Sequence, residues 1–115
     1  MAWRRVVAEY EADLYQVPVP KIFKFPKGEA EYKEYSDGER KFEISLWGLK
    51  IPDGSMASIR LNDQAMFEVQ IQRGRAKLDL ASNEATEITD VQNGDVIKVY
   101  YNSDVLLEGT FKPDD

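Results

Sequence analysis

Residues 28–47 read GEAEYKEYSDGERKFEISLW, and their pattern decides the fold class. In the second arm Phe42, Ile44 and Leu46 alternate with Lys41, Glu43 and Ser45. Side chains on a strand point to opposite faces in turn, so this arm is half-buried strand. Asp37-Gly38 sits between the arms, and both residues tolerate positive φ, as a tight hairpin turn demands. The pair therefore predicts a hairpin between residues 29–35 and 40–48.

The same reading extends along the chain. Pro52-Asp53-Gly54, Asn62-Asp63, Arg73-Gly74, Asn93-Gly94 and Asn102-Ser103 mark further turns. Between them Ala65, Phe67, Val69 and Ile71 alternate with Met66, Glu68, Gln70 and Gln72, and Ala76, Leu78 and Leu80 share one face. Residues 3–15 fit a helical stripe through Trp3, Val6, Val7, Tyr10 and Leu14, or a strand with Val6, Ala8, Tyr10, Ala12 and Leu14 on one side. No capping residue precedes the run and everything after it reads as strand, so a strand is expected.

Residues 54–72 and 94–112 align without a gap. Gly54, Asn62 and Glu68 recur as Gly94, Asn102 and Glu108, and the apolar register matches throughout. Upstream, residues 28–34 match 74–80. These matches suggest an internal duplication: an N-terminal strand and proline-rich joint over 1–27, a first half over 28–72 and a second over 73–112. Each half has one apolar face to bury. The expected fold is all-β, a small antiparallel sandwich or closed barrel of seven to eight strands in one domain.

The order Gly28-x-Ala30-x-Tyr32, Pro52-Asp53-Gly54, Gly74-Arg75-Ala76 and Leu107-x-Gly109-Thr110-Phe111 resembles a group of small uncharacterised bacterial all-β proteins. Here Ile51 stands where that group has leucine before the proline. The resemblance implies a fold, carries no site residue across, and suggests a bacterial origin.

Composition limits the chemistry. With no His and no Cys, neither a histidine-assisted nucleophile nor a zinc site of nitrogen and sulfur ligands can be assembled. Neither phosphate-binding glycine motif occurs. The 21 acids guarantee chance carboxylate pairs, such as Glu9 with Glu11 or Glu29 with Glu31 on one strand face. The polar turns at 52–55 and 102–104 do not follow the calcium-loop pattern. No enzyme, metal or cofactor is expected. The net charge of −6 disfavours nucleic-acid backbones. No stretch approaches the ~20 apolar residues of a membrane helix, and no secretory signal is visible, so a cytoplasmic protein is expected.

What remains is interaction. If the aligned positions face inward, Trp47, Met56, Met66, Val96, Tyr100 and Leu106 face outward, and would serve a symmetric homodimer if they cluster. Residues 18–27, PVPKIFKFPK, hold no acid and offer Lys21, Phe23, Lys24, Phe25 and Lys27 as a strip for a partner. The structural expectation for the same strip is a joint whose two Phe rings plug an end of the sandwich. The function expected is a non-catalytic protein-interaction or structural module, with self-association as one form of it. The alternative is a small-ligand module whose Trp3, Tyr10, Tyr35, Trp47 and Tyr100 stack on sugar (carbohydrate) rings.

Overall fold

The computed structural model describes residues 4–18, 25–82 and 88–114. They form β1 (Val6–Gln16), β2 (Gly28–Tyr35), β3 (Arg40–Leu46), β4 (Met56–Leu61), β5 (Gln64–Gln70), β6 (Ala76–Ala81), β7 (Val96–Tyr101), β8 (Asp104–Thr110) and the two-residue β9 (Lys112–Pro113). The N-terminal segment is a strand, as expected.

The hairpin predicted from Asp37-Gly38 joins β2 to β3. Gly38 has φ +90°, and the Asp37 carboxylate accepts the Glu39 amide at 3.0 Å. The turn fixes the register, with Ala30 opposite Ile44 and Tyr32 opposite Phe42. On the far side of β2 lies β1, Leu14 opposite Gly28. On the far side of β3 lies β6, Leu46 opposite Ala76. The remaining strands run in the order β5-β4-β7-β8.

Two joints turn these layers into one antiparallel sheet, nearly closed as a barrel. At one, the last residues of β1 cross to β8, Tyr15 opposite Glu108. Gly109 makes that crossing possible, because a Cβ there would strike the Asp13 carbonyl oxygen. At the other, the Arg73-Gly74 turn links β5 to β6, with Gln72 bridged to Arg75. The barrel is flattened: its shortest extent is 23 Å, the thickness of two sheet layers about 10 Å apart with their outer side chains.

The core obeys the alternation. Leu14, Tyr32, Phe42, Ile44, Ile59, Ile71, Ile97, Val99, Leu107 and Phe111 are fully buried. Each such aliphatic or aromatic side chain contributes about 1.5–3 kcal/mol by leaving water. The rings of Phe42 and Phe67 meet at 5.7 Å between the layers. Ile88 and Val91 join the core from an irregular stretch, fastened where Arg40 donates to the Ile88 carbonyl at 3.2 Å.

The β4–β5 and β7–β8 hairpins share their bounds under a constant shift of forty residues. Asn62 and Asn102 both turn at positive φ, 49° and 56°. The Gly54 amide donates to Ile71 and the Gly94 amide to Phe111, each at 2.8 Å. The hairpins meet through β4 and β7 with Ile59 opposite Val99, so Ser58–Tyr100 and Arg60–Lys98 exchange under a local two-fold rotation. That relation does not extend to residues 28–34 and 74–80, since β2 and β6 both border β3.

The hairpins also correct the expected facing of three residues. Phe67 lies opposite Ile59 and Ala65 opposite Arg60, which leaves Met66 as an extra residue. Leu106 is the extra residue in the second hairpin. A bulge sets two residues against one and breaks the alternation. Met66 and Leu106 are therefore half-buried against the core instead of facing outward, and Ala65, expected inward, is exposed.

Candidate interaction surface

The outer face of β1, β2, β3 and β6 is ruled into transverse rows by its register. Glu11 stands opposite Glu31, Glu31 opposite Glu43, and Glu43 opposite Asp79. Four acids thus cross four strands in line. Directly opposed side chains lie about 4.5–5.5 Å apart at Cβ, where like charges repel.

The next row answers part of that charge, with Glu9 opposite Lys33 and Lys33 opposite Lys41. The Lys33 ammonium lies 3.2 Å from Glu31 and 3.7 Å from Glu9. The Glu31 hydrogen bond and charge hold the Lys33 pKa above its ordinary value. Burial holds the Glu11 carboxyl above its ordinary range, and the negative charge of Asp114, Glu29, Asp13 and Glu31 adds to it. Burial raises Glu9 as well, with Lys33 opposing. Carboxylate oxygens of Glu9, Glu31 and Asp114 lie within 4.8 Å of one another. They could each offer one ligand to a hard cation, but Lys33 already brings a positive charge among them. An open groove of about 610 Å³ continues the acidic surface past Glu11, Asp13 and Glu108.

The opposite end of the same face carries cations and an indole. Trp47 comes directly after β3 and is 37% exposed. Ser45 lies opposite Lys77 and Leu46 opposite Ala76, so the continuing register sets Trp47 beside Arg75. Trp47, Arg75, Lys77 and Gln72 line one open cavity of about 670 Å³.

The other expected outward residues do not join Trp47 in one patch. Met56, 49% exposed, begins β4, and half-buried Val96 begins the antiparallel β7. The Asn62 amide donates to the Val96 carbonyl at 2.8 Å, which places Val96 at the far end of β4 from Met56. Tyr100 lies on that face under the Arg60 guanidinium, 4.2 Å from its ring centre.

Of the lysine and phenylalanine strip, Lys21, Phe23 and Lys24 lie outside the described residues. Phe25 is 72% exposed, so its ring is not buried in an end of the sandwich. Lys27 belongs to the wall: its amide donates to Leu14 at 2.8 Å, its carbonyl accepts from Trp47 at 3.0 Å, and its ammonium reaches the Gly48 carbonyl at 3.2 Å.

The rings expected to hold a sugar are dispersed, and three are covered. Tyr10 stacks on Tyr32 at 6.2 Å, Tyr35 lies under Arg4 at 4.0 Å, and Tyr100 lies under Arg60. Trp3 is outside the described residues. Sequence reasoning paired Glu9 with Glu11 and Glu29 with Glu31 along their strands but missed the row across them. The Asp37-Gly38 turn held the signal, since it sets Glu31 against Glu43.

No family model matches the chain, and no curated protein matches it. Among the described residues no helix is long and apolar enough to cross a membrane.

Proposed function

We propose that the protein is a non-catalytic interaction module that engages a protein partner through the outer face of β1, β2, β3 and β6. The observation that carries this reading is the exposed Trp47 indole set beside Arg75 and Lys77 in one open cavity. Aromatic and arginine side chains at the centre of a contact supply most of its binding energy. A sugar-binding reading is less well supported, because Tyr10, Tyr35 and Tyr100 already have their ring faces in use.

The shared geometry of the two hairpins supports a further reading: residues 54–72 and 94–112 descend from one duplicated unit. The module's scaffold is then one hairpin used twice, with the β1–β2–β3–β6 layer laid over the pair.

Capture from native lysate tests the interaction. Immobilised wild-type protein should retain a defined protein that Trp47→Ala does not retain, while both melt at similar temperatures. Retention of the same proteins by both forms, or of none, would remove Trp47 from any binding role.

A further inference from the structure

The sheet edge at β6 carries unused hydrogen-bonding groups. β6 ends the strand order and pairs with β3 alone, so no described strand lies along its other edge. The turn before β6 shows which residues point there. Gly74 accepts the Leu49 amide on the β3 side at 3.0 Å, whereas Arg75 exchanges both backbone bonds with Gln72 on the other side, at 2.9 and 3.0 Å. Bonded residues alternate along an antiparallel strand. Ala76, Leu78 and Leu80 therefore bond to β3, and Lys77, Asp79 and Ala81 aim their N–H and C=O groups at the free edge. After the Gln72–Arg75 bridge β5 and β6 part, since no pairing joins them. Leu78, Leu80 and Phe67 are only partly buried. Leu80 lies opposite Phe42, whose ring meets Phe67, so these side chains border the space between the parted strands. On the outer face the Lys77 side chain is 69% exposed, with Arg75 and Trp47 beyond it.

We propose that β6 accepts an extended segment of another protein as an added antiparallel strand, with apolar side chains on its inner face and an acid opposite Lys77. This deepens the interaction-module reading above, on which it rests, by giving the form of the partner. Main-chain bonds to Lys77, Asp79 and Ala81 supply affinity, and alternate side chains supply selectivity. The inner side chains cover Leu78 and Leu80. The acid lies on Lys77 with the Arg75 charge nearby.

A second copy of the chain suits this edge poorly. Setting its Asp79 opposite Lys77 brings its Ala81 to the place beside Arg75 that Gln72 already holds. The next two-fold register sets Asp79 on Asp79, where like charges repel. A short segment avoids both, because it can end opposite Ala76.

The peptide acetyl-Glu-Val-Thr-Val-Glu-Val-amide tests this arrangement. Its glutamates fall opposite Ala81 and Lys77, and its threonine opposite Asp79. Nuclear magnetic resonance should show saturable binding below about 1 mM. In the free protein the Lys77, Asp79 and Ala81 amides should exchange quickly with solvent, and the Leu78 and Leu80 amides slowly. At saturation the first three should slow at least tenfold. Asp79→Pro removes an amide that β3 does not use, a place where an edge strand tolerates proline. It should stay folded by circular dichroism and bind at least tenfold more weakly, whereas Asp79→Asn, which keeps the amide, should bind at least as tightly as the wild type. Charge alone predicts the opposite for the proline, since losing an acid favours an acidic peptide. Lysine in place of both glutamates should weaken binding, although the net charge of −6 favours the cationic peptide. Strand addition is overturned if the three amides are already protected in the free protein, if their protection rises with protein concentration alone, if the peptide does not bind, or if Asp79→Pro binds it equally well. Should Trp47-dependent capture survive such a result, the interaction module stands without strand addition; should capture fail too, both fall.

Discussion

Tyr32 carries the only hydroxyl among the described core residues, the rest being hydrocarbon. It donates to the Asp90 carboxylate at 3.2 Å. Burial pushes its pKa up to about 12; Glu34 and Asp90 add to the rise and Arg40 opposes it. A folded pKa above the unfolded one means that the native state holds its proton longer. The stabilisation is therefore full below about pH 10 and is lost as pH climbs from 10 towards 12. Tyr32→Phe should cost about 1 kcal/mol at neutral pH through the lost hydrogen bond. It should also flatten the fall in stability over that alkaline window. Guanidinium unfolding at pH 7 and pH 11 measures both, and an equally steep alkaline loss in the variant would refute the assignment. Gly109 makes a second prediction. Gly109→Ala forces β8 away from the Asp13 carbonyl and should cost about 1–3 kcal/mol, the range for overpacked sites. Wild-type stability in the same titration would show that the crossing has slack. The inward setting of Tyr32 was legible from its strand, but its partner was not. Asp90, with buried Ile88 and Val91, lies in a stretch without alternation, where periodicity says nothing about facing.

Between hairpins, the match at a constant shift could be read from apolar register alone, and the turns at Asn62 and Asn102 with it. The bulges could not. An inserted residue such as Met66 or Leu106 leaves composition and local polarity unchanged, yet it switches the face on which the rest of the strand's side chains lie. Within the proline-rich strip, Phe25 misled for another reason. Phe25 looked like core by residue type, but the Lys27 backbone, paired to Leu14 and Trp47, is what ties that segment to the sheet. The two hairpins also differ in a way that only the fold displays. The Asn62 side chain donates to Asp95 at 3.0 Å and accepts the Val96 amide at 2.9 Å. Asn102 makes no such side-chain bond among the described residues, although its backbone adopts the same positive φ. Glycine suits that φ at either turn. Asn62→Gly should therefore cost about 1–2 kcal/mol for two lost hydrogen bonds, while Asn102→Gly should be close to neutral. Urea midpoints of the two variants decide it. Equal losses would mean that the Asn62 bonds add nothing to holding β4 on β7.

The molecule as a whole is acidic, and its fold gathers that acidity where the sequence only disperses it. Fold class could be read from alternation and turns, because both act over a few residues. Closure and the acidic row could not, because they depend on pairing strands far apart in the chain, such as Glu43 with Asp79. The gathered charge leaves a pH signature whose sign can be worked out. Glu9 and Glu11 are both held above the ordinary value of 4.5, chiefly by burial. A raised carboxyl pKa means that the native state binds more protons than the unfolded state just above that value. Stability then falls as pH rises through the window above 4.5, and beyond it both carboxylates oppose folding in full. Lowering the pH towards 4.5 should therefore raise the melting temperature, the reverse of the acid loss produced by carboxylates held by cations. Glu11→Gln keeps the shape of the side chain and removes the charge. Its melting temperature should exceed that of the wild type at pH 7, and the two should converge near pH 4, where Glu11 is itself protonated. Thermal denaturation at pH 4, 5 and 7 provides the comparison. A variant that melts lower than the wild type at pH 7 would mean that the Glu11 charge is balanced by a cation, and that the acidic row is not under electrostatic stress.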